Sequence, residues 1–210
     1  MATSSTKLNE EDVVNMKAFP PVINGRINVV KFIEASTELV AVVERLGTVF
    51  APVKYDMQGN VDKIQKNFNY DENSCLLELM LEEVSTGKTT GTESVLWLNR
   101  ALFFFELAFL ETLNHLRTCN EDVSMKKIFT VAYEGSVKKY HKWVTQQLFT
   151  FICKMSPSLY HVIKAFKFSD DFKAFELALD NYNVTLHLVR CKIDDFFRDN
   201  NFKILDTCFS

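Results

Sequence analysis

The amino-acid sequence predicts an all-α protein, and three features carry that prediction. Glycine and proline are scarce, 6 and 4 of 210 residues, well under the roughly 12% of average usage, so the chain lacks the turns that a many-stranded fold consumes. Apolar residues recur at the three-and-four spacing of a helix face in one segment after another. Hydrophobic residues make up 47% of the chain, enough to fill the core of one domain of this length. A polar segment, residues 1–21, is expected to precede a single domain at 22–210, with no internal repeat or low-complexity stretch dividing it.

Asn28 is placed to cap a helix from Val29 to Leu46, with Gly47 suited to its C-terminal end. Pro52 fits the first turn of a second helix running through Phe68. A shorter helix over Cys75–Val84 follows the capping residues Asp71, Asn73 and Ser74. Ser85 to Glu93, with Gly87, Gly91 and several threonines, reads as a surface loop. Ser94 to His115 is apolar almost all round, which marks a buried central helix. Helices over Val123–Tyr140 and Trp143–Met155 come next, with a break at Ser156-Pro157. The last helix carries Phe172, Phe175, Leu179, Tyr182, Leu186, Val189, Ile193 and Phe196 at spacings of three and four. That seam suits a coiled-coil dimer or packing against the chain's own helices, and the rest of the chain supplies partners for the second.

Several function classes drop out early. With 24 basic and 27 acidic side chains, a formal charge of −3, no cation excess is available for a nucleic-acid backbone. Met1 to Asp12 is polar and acidic where a secretory signal would be apolar. The longest stretch without an acidic or basic residue, Trp143 to Cys153, is eleven residues, against the roughly 20 needed to span a bilayer. The five cysteines, Cys75, Cys119, Cys153, Cys191 and Cys208, are widely spaced and show no zinc-ligand pattern. They read as reduced thiols of a cytoplasmic protein, with neither metal nor cofactor expected. No phosphate-binding glycine loop, zinc-protease histidine pair or serine-hydrolase elbow occurs, so no enzymatic chemistry is expected.

The residues that could recognise a ligand begin in the second helix. At about 100° per residue, Val53, Met57, Val61, Ile64 and Phe68 share one stripe, and Asp56, Asn60 and Lys63 fall within about 60° of one another beside it. A carboxylate accepts, an amide does both and an ammonium donates, so the trio suits a polyhydroxylated ligand. A solvated helix face is the plainer alternative. Gly59 beside the stripe would allow a close approach. In the central helix Trp97 and Arg100 share a side with Phe104 and Ala108. An indole face stacks well on a sugar ring, although a lone Trp is more often core. A guanidinium in so apolar a helix needs a partner or an anionic ligand, and Asp56 is the obvious candidate. His141 has no Ser or Cys at nucleophile-pair spacing and reads locally as structural. Trp143 starts a helix beside Lys138, Lys139 and Lys142, which suits a membrane interface or an ordinary packed Trp.

Three blocks together resemble the glycolipid transfer protein family, in the family's order. They are Phe50-Ala51-Pro52-Val53-Lys54-Tyr55-Asp56-Met57-Gln58-Gly59-Asn60-Val61-Asp62-Lys63-Ile64, then Trp97-Leu98-Asn99-Arg100-Ala101-Leu102, then Lys138-Lys139-Tyr140-His141-Lys142-Trp143-Val144. The resemblance runs from about Val22 to Tyr182. It implies a two-layer sandwich of about eight helices enclosing an apolar sleeve for ceramide chains, with a sugar headgroup at its mouth. The family's members move glycosphingolipids between membranes without covalent chemistry. For this chain that implies a cytoplasmic monomer that transfers or senses glycosphingolipids and meets membrane surfaces transiently. By motif, Asp56 would bind the first sugar and the ceramide amide, and Asn60 and Lys63 the sugar hydroxyls. Trp97 would stack beneath the ring, Arg100 would support the headgroup, and His141 would donate to the acyl carbonyl. Trp143 and Lys142 would dock on the membrane. A related branch binds ceramide-1-phosphate, with Lys resembling the position of Asn60 and Arg that of Trp97; here both positions are of the sugar-binding kind. A carrier of another sphingolipid, or a helical interaction protein without transfer activity, remains the alternative.

Overall fold

The structure, a computed structural model, describes residues 17–118, 124–168 and 171–200. Among them the fold is all-α, with eight α-helices: α1 Val29–Arg45, α2 Ala51–Asn67, α3 Leu76–Ser85, α4 Thr90–Arg117, α5 Met125–Gly135, α6 Trp143–Lys154, α7 Leu159–Ala165 and α8 Phe172–Asn200. Single 3₁₀ turns at Thr48–Phe50 and Lys138–Tyr140 lead into α2 and α6. The described residues hold two isolated β-bridges, Ile23 with Arg26 and Asn28 with Cys75.

The helix ends follow local chemistry where the capping group is local. Asn28 Oδ1 accepts the Lys31 N–H at 2.9 Å and starts α1, as the sequence predicts. Its amide also donates to the Glu72 carbonyl at 2.6 Å, tying that start to the approach of α3. Gly47, with φ of +111°, takes the chain out of α1 through a conformation that disfavours a Cβ.

α4 is the heart of the molecule and lies between α2 and α8, with α3 and α5 also packed on it; α1 packs on α2, and α6 on α5. Its Leu98, Leu102, Phe104, Phe105, Ala108 and Leu113 are all buried. The α8 seam from Phe175 to Phe196 is buried along α4, so the surface a coiled-coil dimer would need is consumed within the chain. Phe172, at 47% exposure, is the one seam residue left outside. A polar clasp fixes the register of the two helices. Arg190 of α8 binds Glu106 of α4 and Asp194 one turn on, and Asn99 of α4 donates to Asp194 at 2.6 Å.

Three elements depart from the sequence reading. The segment read as a loop, Ser85 to Glu93, ends early because α4 starts at Thr90. Its cap comes from a different helix. The buried Glu83 carboxylate of α3 accepts the N–H groups of Gly91 and Thr92 at 2.8 and 2.7 Å and the Thr92 hydroxyl at 2.7 Å. A negative group at a helix N-terminus satisfies free donors and complements the helix dipole. Gly91 is required there by contact, since a Cβ would stand 2.6 Å from the Phe68 ring. Next, the helix expected through Tyr140 stops at Gly135, and Ser136 leaves helical geometry at φ −122° and ψ −93°; its expected start, Val123, lies outside the described residues. Last, α7 was not foreseen, since seven residues are too few to display a spacing. Cys75, Cys153 and Cys191 are free thiols. Cys119, Cys208, residues 1–16 and the C-terminal tail lie outside the described residues, whereas Phe19 of the segment expected to precede the domain is buried against Phe32 and Tyr182.

Candidate functional site

A cleft of about 250 Å³ opens between α2, α4, the α5–α6 connection and α6. Asp56 comes from α2, Trp97 and Arg100 from α4, and His141 from the connection; these four polar or amphipathic groups face an interior of Phe104, Phe105, Leu148, Phe149 and Ile152. Residues 85 positions apart in the chain thus converge because α2 and α6 both flank the same stretch of α4. Behind Phe105 the apolar interior continues as a void of about 10 Å³ between α1, α4, α5 and α7.

Asp56 remains open to solvent at the cleft edge, yet the surrounding walls remove enough of its hydration to raise its pKa above the ordinary value, with Lys63 opposing. Asn60, one turn along α2, is buried and donates through Nδ2 to the Asp56 backbone carbonyl at 3.0 Å. Lys63 is exposed about 10 Å along the same edge, by the helical rise. Neither Asn60 nor Lys63 lines the cleft itself. A Cβ at Gly59 would meet no atom within 4 Å, so packing within the chain does not require that glycine.

Arg100 does not pair with Asp56 as the sequence suggested. Its guanidinium, in a side chain with 7% exposure, lies 4.5 Å from the Trp97 ring centre and 3.8 Å from that of Tyr140. Two electron-rich ring faces replace the carboxylate as the environment of the charge. Among the described residues its Nη1 has no hydrogen-bond partner. Arg100 lies over the half-buried indole, Tyr140 is edge-on to it at 6.3 Å, and Trp97 also lines the cleft. Burial lowers the pKa of His141 and so favours its neutral imidazole.

Trp143 stands outside this cleft at 72% exposure, at the start of α6, with Lys142 as the N-cap residue before it. Val144, Leu148, Phe151 and Met155 continue an exposed apolar stripe along the helix. The wall of the cleft on α6, namely Thr145, Leu148, Phe149 and Ile152, was missed in the sequence. Its signal was present as spacings of three, one and three, the pattern of one helix face. Tyr140, which shares Arg100 with Trp97, carried no signal beyond its place in the third block.

The sequence profile of the family described as "Glycolipid transfer protein (GLTP)" matches residues 27–168. A glycolipid transfer protein of Aureobasidium melanogenum is 32% identical over 186 residues, 87% of this chain and 89% of that protein. A pleckstrin homology domain-containing family A member 8 of Danio rerio is 35% identical over 134 residues, 60% of this chain but 23% of that protein. Among solved structures, the fungal glycolipid transfer protein HET-C2 superposes with a TM-score of 0.75 at 26% identity, covering 88% of this chain and 92% of the other. The mouse ceramide-1-phosphate transfer protein gives 0.76 at 21% identity over 90% and 94%, a likeness of fold. By its three sequence blocks, its all-helical fold and these matches, the chain belongs to the glycolipid transfer protein family.

Proposed function

We propose that this protein binds one glycosphingolipid per chain, as a monomer, and carries it between membranes without covalent chemistry. The observation that carries the reading is the meeting of Asp56, Trp97 and His141 at the edge of one apolar cleft. A carboxylate and an imidazole can take the two ends of an amide, the N–H and the carbonyl. An indole supplies a platform for a pyranose ring, and Asn60 and Lys63 continue the hydroxyl-matching edge of α2 beyond it. Phe104, Phe105, Leu148, Phe149 and Ile152 take the start of the hydrocarbon chains. Each methylene kept from water is worth about 0.8 kcal/mol, so such a carrier accelerates an exchange that is otherwise very slow.

The test is a vesicle assay with labelled lipids. Glucosylceramide or lactosylceramide is expected to move while phosphatidylcholine stays; equal rates for both would remove the headgroup from the account. A second reading, a ceramide-1-phosphate carrier, is favoured by the partnerless Nη1 of Arg100, a donor suited to phosphate. Against it, Arg100 is the single Lys or Arg among the described residues lining the cleft, and Asp56 balances it. Faster transfer of ceramide-1-phosphate than of glucosylceramide would select that second reading.

The reading includes a cytoplasmic protein that meets membranes reversibly through Trp143, Lys142 and the apolar stripe of α6. Indole and lysine side chains favour the water–lipid boundary. Trp143→Ala is expected to weaken vesicle binding and transfer roughly 10- to 150-fold, the loss of one buried large side chain. Affinity for a short-chain soluble glycolipid should stay within a factor of two or so, since Trp143 lies outside the cleft. Equal losses in both assays would assign Trp143 to packing instead.

A further inference from the structure

A neutral imidazole carries one N–H, and the nitrogen that holds it decides whether the ring gives or accepts a hydrogen bond at each end. His141 is such a ring. Its Nδ1 lies 3.1 Å from the hydroxyl of Tyr133, on α5. Among the described residues its Nε2 has no hydrogen-bond partner. The pair is rigidly held. Tyr133 is buried and stacks on Phe149 at 4.2 Å and 7°, while the His141 ring lies 5.8 Å from the same Phe149. The backbone is tied as well, His141 N–H to the Lys138 carbonyl at 3.2 Å and His141 carbonyl to Gln146 Nε2 at 2.9 Å.

Two proton placements fit the 3.1 Å contact, and burial separates them. Were Nδ1 protonated, the Tyr133 oxygen would accept, and among the described residues its own proton would have no acceptor better than the thiol of Cys153, a weak one. Stranding a buried donor biases the ratio against that placement by about 5- to 150-fold. If the hydroxyl donates to Nδ1, both groups are satisfied and the proton sits on Nε2.

We propose that Tyr133 is a positioning residue: by donating to Nδ1 it holds His141 in the Nε2–H tautomer and so fixes the cleft as a donor toward a carbonyl oxygen. The inference rests on the glycosphingolipid reading for the identity of that oxygen, an amide carbonyl whose N–H faces Asp56. A glycerol ester offers a carbonyl but no N–H, so the fixed donor beside a fixed acceptor selects the amide linkage.

Nitrogen-15 NMR of the histidine side chains in the lipid-free protein tests the tautomer without reference to any ligand. The expected result is protonated Nε2 and a bare, hydrogen-bonded Nδ1 for His141; a proton on Nδ1 in the parent overturns the proposal. Tyr133→Phe keeps the ring stack and removes the hydroxyl. It is expected to move His141 toward the tautomer mixture of a free imidazole and to weaken glucosylceramide binding about 3- to 10-fold, the worth of one oriented hydrogen bond. An unchanged tautomer in the variant, or a mixed tautomer with unchanged affinity, also overturns it. A parent that shows the Nε2–H form but binds no glycosphingolipid defeats the functional reading and leaves the assignment of Tyr133 supported.

Discussion

Asp56→Val is expected to lower glucosylceramide affinity at least about 100-fold and to leave the fold intact. The estimate takes the carboxylate as acceptor for two ligand donors, the amide N–H and a sugar hydroxyl, each a charge-assisted bond. The fold should tolerate the change for an electrostatic reason. A carboxyl whose pKa is raised in the folded state opposes folding while it is ionised, and ceases to oppose it as the pH falls through that pKa. Removing the group therefore removes a cost, and since Val and Asp have similar helix propensities the exchange adds none of its own. The measurement is a titration with short-chain glucosylceramide followed through the fluorescence of Trp97, alongside a thermal melt. Affinity within threefold of the parent would take Asp56 out of the binding site.

Glu83→Ala produces the largest loss of stability. It leaves the N–H groups of Gly91 and Thr92 and the Thr92 hydroxyl without their acceptor in a buried setting. Loss of charged hydrogen bonds of this kind costs about 3 kcal/mol, and for a chain of this length that corresponds to a melting temperature lower by roughly 6–12 °C. Glu83→Gln retains one carbonyl acceptor and should fall between. A shift below about 2 °C for the alanine variant would mean that water replaces the carboxylate and the cap has little weight.

The same carboxylate explains where the sequence was readable and where it was not. α1 and α8 were legible because their signals are local: Asn28 sits three residues from the donor it caps, and the α8 seam repeats through Phe196. The start of α4 was not, because its capping group belongs to α3 and the segment between them has the composition of a loop. α5 is shorter than its sequence predicts because Gly135 and Ser136 are weak breakers by themselves and become a stop where the chain turns toward His141. In the site, Asp56, Asn60 and Lys63 were legible as one edge of α2. The separation of Asp56, in the cleft, from the other two depends on how α2 crosses α4, which no spacing reveals. Arg100 was recognised as an unusual charge but given the wrong neighbour. A carboxylate is the obvious counterpart in a sequence, whereas a pair of rings, Trp97 and Tyr140, becomes one only through tertiary packing.

α6 has apolar side chains on two sides. Thr145, Leu148, Phe149 and Ile152 line the cleft, while Val144, Phe151 and Met155 point outward with Trp143. Leu148, itself exposed, belongs to both sets, so the cleft and the outer surface adjoin along one edge of this single helix. α6 packs chiefly on α5, whereas α4 is held by α2, α3, α5 and α8. Local opening costs least where fewest buried contacts are broken. Widening the cleft therefore demands undocking one twelve-residue partition rather than loosening the phenylalanine cluster on α4, and the side on which it yields is the side that already presents exposed rings to its surroundings.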